Sequence, residues 1–148
     1  MEQYFALLRQ CPLFQGISPQ ELSQMLPCLG TRHMQVKKHQ MIFRAGDPAR
    51  WVGLVLSGAV HVIQEDYYGN RSIVSTFQPP QLFGEAFACA GVASLPVSVE
   101  AAQDSTLLLL DCQRVIRTCS DACAFHQRLL SNLLHVVAAK NLLLTQKL

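Results

Sequence analysis

The feature that most constrains the fold is the spacing of turn residues between Arg32 and Asp111. Apolar runs in this region are short, rich in Val and Ile, and interrupted by Gly, Pro, Asp and Asn. Branched side chains pack well on a pleated sheet, and Gly or Asn permits the backbone of a tight turn. We predict strands at 32–36, 41–44, 51–56, 59–65, 71–77, 97–101 and 106–111, with turns at 46–48, 57–58 and 68–70. Seven short strands at hairpin spacing indicate a sandwich or a roll.

Helical patterns lie on both sides of this region. Ser18 can cap a helix, Pro19 suits its first position, and Glu21 can complete a capping box, so a short helix is predicted to run to about Pro27. Beyond Asp111, which can act as a cap, we predict a short helix over 112–117 and a long one from about residue 120 to the end of the chain.

The long helix carries two apolar faces. One is a heptad seam, in which apolar positions alternate at steps of four and three, and it includes one polar residue: Leu130, Leu134, Val137, Asn141, Leu144 and Leu148. The second face consists of Leu129, Leu133, Val136, Leu142 and Leu143. We interpret one face as covering the strands and the other as meeting a partner helix in a parallel homodimer, with Asn141 fixing the register.

Composition limits the class of protein. The 148 residues, half of them hydrophobic, suffice for one domain, and a net charge of +2 indicates no nucleic-acid surface within the chain. No apolar run approaches the ~18 residues of a membrane helix, and no secretion signal is apparent, so we expect a cytoplasmic protein without a membrane partner. The six cysteines are scattered in apolar contexts and are expected to be reduced thiols.

Several short motifs occur in a characteristic order. They are Gly46-Asp47, the run from Val55 to Val60 that contains Ser57-Gly58, then Gly69, then Phe83-Gly84-Glu85. Together they resemble the cyclic-nucleotide-binding β-roll of the bacterial Crp/Fnr transcription regulators. The resemblance covers essentially the whole chain, since Leu13-Phe14 and the following helix look like that family's beginning.

The resemblance implies a fold and a role. The fold would be mainly β, a double-stranded jelly roll with short N-terminal helices and a long C-terminal dimerisation helix over 120–148, all within one sensor domain, 1–148. Relatives continue into a helix-turn-helix domain, and here the chain stops within a helical pattern, so DNA is expected to be bound only by a C-terminal domain absent from this chain. The competing hypothesis is a stand-alone module without a DNA-binding domain, which binds a small ligand or another protein, or senses a metal ion, haem or redox state.

The predicted effector site is the segment that we call the cassette, Phe83-Gly84-Glu85 with the short helix that follows it, together with the segment about ten residues further on. Gly84 permits close backbone approach and Glu85 can accept hydrogen bonds from a ligand, although Glu85 can equally stabilise the first helical turn. The predicted effector-binding residues are Phe83, Gly84, Glu85, Ala86, Phe87, Leu95, Pro96, Val97 and Ser98.

The same segment disfavours cyclic AMP. In cyclic-nucleotide-binding relatives an Arg about ten residues beyond the Glu pairs with the phosphate, followed by Ser or Thr and then Ala, whereas this chain has Leu95, Pro96 and Val97. Both the charge and an amide donor are lost, and a charge-assisted hydrogen bond contributes about 1.5–3 kcal/mol. A pocket between Phe87, Leu95, Val97 and the long helix is predicted to be apolar. It would suit a small organic effector of unknown identity, the edge of a cofactor, or no ligand at all.

A second candidate site lies at the beginning of the long helix. Cys119, Cys123 and His126 share a helix face at i, i+4 and i+7, and Cys89 of the cassette is a further candidate ligand. This group could bind a metal ion or haem, or sense redox state, while the alternative is that the thiols fill the core. An enzymatic role lacks support, because His61 with Glu65 stands alone and no nucleophile has an evident base.

Overall fold

The computed structural model describes residues 2–117 and 124–146. Its strands are β1 Arg32–Val36, β2 Met41–Phe43, β3 Trp51–Ser57, β4 Val60–Glu65, β5 Arg71–Phe77, β6 Leu82–Phe83, β7 Ser98–Ala101 and β8 Ser105–Asp111. They form two four-stranded sheets, ordered β1-β8-β3-β6 and β2-β7-β4-β5, in which every pairing is antiparallel. The helices are α1 Phe5–Gln10, α2 Pro19–Met25, α3 Glu85–Ala90, α4 Cys112–Ile116 and α5 Ala124–Gln146. This is the predicted β-roll with short N-terminal helices and a long C-terminal helix.

All seven predicted strands are confirmed, with bounds that differ by at most one residue at either end. The remaining strand, β6, was not predicted, because its two residues are too few to display an alternating pattern. The predicted turns are also present: Gly46, Gly58 and Gly69 all have positive φ.

Strand β8 organises the core because both of its faces are buried. Leu107 and Leu109 join a cluster inside the roll, between the two sheets. Leu108 and Leu110 join a second cluster, formed with the helices on the outside of the first sheet. A continuous apolar run is what a strand with two covered faces requires, whereas a half-exposed strand alternates. The run of four leucines therefore marks the middle layer of the molecule.

Gly53 is required where β3 pairs with β6. A Cβ placed on Gly53 would come within 2.2 Å of the Phe83 ring, which packs over the strand. Phe83 has no exposed surface and also contacts Phe43 and Phe77, with ring centroids 6.3 Å away in each case. The absence of a side chain at Gly53 thus allows an aromatic ring to fill the roll beside the cassette.

The helices are held by specific polar contacts as well as by packing. The predicted capping box is confirmed: Glu21 N donates to Ser18 Oγ at 3.2 Å, and Ser18 N donates to Glu21 Oε1 at 3.0 Å. Asn132 of α5 donates to the carbonyl oxygens of Leu13 and Gln15, both at 2.9 Å. The long helix is therefore fixed against the N-terminal segment.

The second apolar face of α5 covers the roll only along its first half. Leu129, Leu133 and Val136 are buried as predicted, but Leu142 and Leu143 are 62% and 54% exposed, so their assignment to the covering face is wrong. Residues 141–144 are all exposed, because the helix continues past the roll beyond Lys140. No helix among residues 2–117 and 124–146 has the length and apolar character needed to cross a bilayer.

Asp111 links the end of β8 to α4. Its Oδ1 accepts from Gln113 N at 3.0 Å, as predicted for a cap, and its Oδ2 accepts from Arg50 Nη2 at 2.9 Å and Nε at 3.2 Å. Burial raises the pKa of Asp111, but the hydrogen bonds from Arg50 and Gln113 outweigh burial and hold the pKa below its usual range.

We expect Asp111→Asn to lower the free energy of unfolding by about 1 kcal/mol at neutral pH, since the Arg50 side chain is 56% exposed and solvent screens the pair. A carboxyl group with a lowered folded-state pKa stabilises the protein above its unfolded-state pKa, and this contribution is lost as the pH falls through the folded-state pKa. Urea unfolding at several pH values should therefore show the two proteins converging in acid. A difference that stays constant with pH would contradict the charge-based explanation.

Candidate functional site

An apolar cleft lies where the cassette meets the two sheets. Four of the predicted effector-binding residues, Gly84, Phe87, Leu95 and Val97, line it. They are joined by apolar side chains from the strands and the loop before β3: Phe43, Pro48, Ala49, Trp51, Val62 and Val99. No described residue of α5 lines the cleft, so the long helix does not form the wall that the sequence predicted for it.

The cleft is nearly closed. It offers about 20 Å³ to a water-sized sphere, close to the ~10–15 Å³ that a single water requires and far below the hundreds of cubic ångströms of a small-molecule site. Among the described residues that line it, Arg50 carries the one positive charge. Its guanidinium group is already bonded to Asp111 and lies 4.8 Å from the centroid of the Trp51 ring. A phosphate would have to compete with both contacts.

The other five predicted effector-binding residues lie outside the cleft lining. Phe83 is in the interior of the roll, while Ala86 and Pro96 are exposed. The Ser98 hydroxyl accepts from Ala45 N at 2.9 Å, which fixes the loop that follows β2. Glu85 has a different arrangement, which connects the cassette to the long helix.

Glu85 begins α3, is 3% exposed, and pairs with Lys140 of α5. Its Oε1 accepts a short hydrogen bond from Lys140 Nζ, and the same ammonium group donates to Leu82 O at 3.0 Å and lies 5.1 Å from the centroid of the Phe77 ring. Glu85 Oε2 is buried without a hydrogen-bond partner among the described residues. The carboxylate predicted to face a ligand is therefore neutralised from within the chain.

Gly84 sets up this arrangement through its backbone. It precedes α3 with a φ of +79°, a conformation that side-chain-bearing residues rarely adopt, and an added Cβ would lie 3.2 Å from Trp51 O. The left-handed turn at Gly84 redirects the chain from β6 into α3. As a result, Phe83 points into the roll while Glu85 is buried against Lys140.

The cysteine and histidine candidates are not brought together. Cys89 Sγ lies 4.0 Å from Cys112 Sγ of α4, whereas His126 is buried and its Nε2 donates to Val115 O at 2.9 Å. Cys119 and Cys123 lie outside the described residues. Across residues 2–117 and 124–146, no three His, Cys, Asp or Glu side chains form a group suited to a metal ion. Metal, haem and redox roles at the predicted set stay a hypothesis.

The predicted dimer seam lies largely on the open side of α5. Leu134 and Leu144 are 72% and 64% exposed and Asn141 is exposed, while Leu130 and Val137 are half-buried. Leu148 lies outside the described residues. The exposed leucines Leu134 and Leu144 thus lie on an apolar stripe at heptad spacing.

Sequence reasoning missed Lys140 and Cys112. Lys140 does carry a signal, since it is the one charged residue between 129 and 146, and a single cation in an apolar stretch calls for a partner. Cys112 carries no such signal, because its neighbour Cys89 precedes it by two strands and only the topology brings the two thiols together.

Comparison with known proteins identifies relatives of the fold. The family model described as cyclic nucleotide-binding domain matches residues 33–121. Among solved structures, the catabolite activator protein of Thermus thermophilus is 25% identical with a TM-score of 0.70, over 91% of this chain and 60% of that protein. The sensor domain of the transcriptional regulator DNR of Pseudomonas aeruginosa is 21% identical with a TM-score of 0.72, over 99% of this chain and 91% of that domain.

A third similar structure is CLP of Xanthomonas campestris, described as a c-di-GMP responsive global regulator. It is 20% identical with a TM-score of 0.69, over 88% of this chain and 62% of that protein. No curated protein matches the chain. The chain thus spans about 60% of the length of the Thermus and Xanthomonas regulators.

Proposed function

Because the chain belongs to the cyclic nucleotide-binding domain family, we propose that it is the effector-sensing and dimerisation domain of a bacterial Crp/Fnr-type transcription regulator, with an effector other than cyclic AMP. The observation that carries the proposal is the Glu85–Lys140 ion pair. It connects the helix beside the cleft directly to the helix with the exposed heptad seam. A change at the cleft is thereby coupled to the surface that would join two copies.

The effector is a small, largely apolar organic molecule. Aromatic and aliphatic side chains dominate the cleft lining, and the nearest positive charge, Arg50, is engaged by Asp111. Since the cleft accepts about one water in its closed form, binding must widen it. Widening would displace Gly84 and Phe87 and, with them, the beginning of α3 that holds Glu85.

The signal would be a shift between two arrangements of α5. In the closed form Lys140 bonds to both Glu85 and the carbonyl of Leu82, so α5 is held against the cassette in the second half of the helix. An effector that moves α3 weakens these contacts and alters the position of the exposed residues of the helix beyond Lys140. DNA would be bound by a separate domain, in keeping with the net charge of only +2 here.

We expect cyclic AMP and cyclic GMP to bind about ten- to a hundredfold more weakly than to a site with the phosphate-pairing arginine. Leu95 and Pro96 supply neither its charge nor an amide donor. Titration calorimetry with each nucleotide at physiological salt checks this expectation. A stoichiometric complex of micromolar affinity would overturn it, and with it the proposal that the effector is not cyclic AMP.

Two variants test whether the missing charge and the missing amide donor explain weak nucleotide binding. Leu95→Arg alone should gain little, because Pro96 still lacks an amide hydrogen. The double variant Leu95→Arg/Pro96→Ser restores both the charge and the donor and should gain at least about tenfold in affinity, which corresponds to 1.4 kcal/mol. If the double variant binds no better than the wild type, the loss of these two groups does not explain weak nucleotide binding.

A further inference from the structure

Two thiols from separate elements are in contact beside the cassette. Cys89 lies in α3 and Cys112 begins α4, and their sulfur atoms are 4.0 Å apart. Cys112 is buried at 1% exposure, whereas Cys89 is half-buried, so Cys89 is the more accessible residue of the two. Such an asymmetric pair has one thiol placed to meet a reagent and one placed to resolve the product.

The contact also shifts the pKa values of the two thiols in opposite directions. The hydrogen bond from Cys112 lowers the pKa of Cys89, while the same contact together with burial raises the pKa of Cys112. Thiolate rather than thiol is the nucleophile, so Cys89 is the sulfur that attacks. By contrast, burial raises the pKa of Cys11 to about 11, which makes that thiol inert at neutral pH.

We propose that Cys89 and Cys112 form a dithiol that a hydroperoxide oxidises to a reversible disulfide between α3 and α4. The Cys89 thiolate attacks the peroxide, forming an S–O bond and breaking the O–O bond, and an alcohol, or water from hydrogen peroxide, leaves after protonation. Oxidation of Cys89 removes the thiolate whose contact is the largest cause of the raised pKa of Cys112. Cys112 then gives its proton to the departing hydroxide and attacks the sulfur of the sulfenic acid, forming the S–S bond, breaking the S–O bond and releasing water. The two thiols lose two electrons and two protons, and a dithiol reductant reverses the change by exchange.

The position of this bond gives it a mechanical role. Glu85 and Cys89 are one turn apart in α3, so a bond at Cys89 constrains the helix that holds Lys140. On the other side, α4 contacts the beginning of α5 through the hydrogen bond from His126 to Val115 O. The disulfide would thus fix the cassette between two contacts with the long helix. This consequence rests on the proposed function, but the oxidation itself does not.

The experiment treats the reduced full chain with hydrogen peroxide, counts free thiols, and maps the linkage by mass spectrometry. No Lys or Arg separates Cys89 from Cys112, so trypsin alone leaves both in the peptide 72–114. Additional cleavage after glutamate, at Glu85 and Glu100, places them in the separate peptides 86–100 and 101–114, and Cys119 and Cys123 in 118–128. We expect two of the six thiols to disappear and 86–100 to be joined to 101–114, with dithiothreitol restoring both.

Variants assign the two roles. Cys89→Ala should slow the loss of thiols at least about tenfold, and Cys112→Ala should leave a sulfenic acid on Cys89 that dimedone traps. Cys28→Ala, which removes an exposed thiol elsewhere, is the matched control and should behave as the wild type does. Reduced Cys89 and Cys112 after other thiols have reacted, or a link from Cys89 to another cysteine, overturns the proposal. The disulfide map of the wild-type protein needs no variant, so the proposal stays testable if a variant fails to fold. The assay contains neither effector nor DNA, so its outcome is independent of the proposed function.

Discussion

Lys140→Met is expected to lower the free energy of unfolding by about 3 kcal/mol at neutral pH. The substitution leaves the Glu85 carboxylate 3% exposed with neither oxygen paired by a cation, and an uncompensated buried charge is among the most costly single defects. The effect lies toward the lower end of the range for such pairs, because the Lys140 side chain is 41% exposed. Chemical unfolding monitored by circular dichroism measures it.

The matched control removes the buried charge together with its partner. Glu85→Gln/Lys140→Met carries no buried charge and should recover most of the stability that the single variant loses. A single variant as stable as the wild type would show that the pair is energetically unimportant. Equal losses in the single and double variants would assign the effect to packing.

The chain is expected to dimerise through α5, and Leu134→Glu/Leu144→Glu should weaken the dimer at least about a hundredfold, or 2.8 kcal/mol. Both leucines are more than 60% exposed, so the charges disturb the seam without entering the domain core. Val137 is unsuitable for this test, because it is half-buried against the core cluster. Sedimentation equilibrium at tens of micromolar measures the association.

Ala139 offers a matched control on the same helix. It is exposed and lies on the side of α5 opposite the seam, since residues five positions apart are separated by about 140° around a helix. Ala139→Glu adds one negative charge, where the seam variant adds two, and should leave the dimer unchanged. A monomeric wild type would contradict the proposed dimer. Equal dissociation in the control and in the seam variant would show that helix charge, rather than the seam, controls association.

The strands and caps were predictable because their signals are local. Alternating Val and Ile runs bounded by Gly and Asn are decided within a few residues, and so is the Ser18–Glu21 capping box. Leu107–Leu110 was recognisable as core from its continuous apolar run, although its place between two layers was not. Strand β6 was missed because its two residues are held by pairing with β3 rather than by their own pattern.

The site was less predictable because its contacts join distant segments. The cassette and the segment about ten residues beyond it identified Gly84, Phe87, Leu95 and Val97 as cleft residues, since the order of motifs depends on the topology of the whole roll. The direction of the Glu85 side chain was not predictable, because it depends on a cation 55 positions later in the chain. A buried carboxylate must find a partner, but the sequence around it does not say which.

The middle position of β8 has a consequence for how the chain reaches its fold. Both neighbours of β8, strands β1 and β3, come from much earlier in the chain, so its ladder consists entirely of non-local pairs that are slow to form. Until they form, four consecutive leucines on a strand with two unpaired edges are exposed to other copies. Heat, dilution from denaturant or rapid synthesis therefore puts Leu107–Leu110 at risk of intermolecular strand pairing, and the yield of folded protein depends on how soon β1 and β3 reach β8.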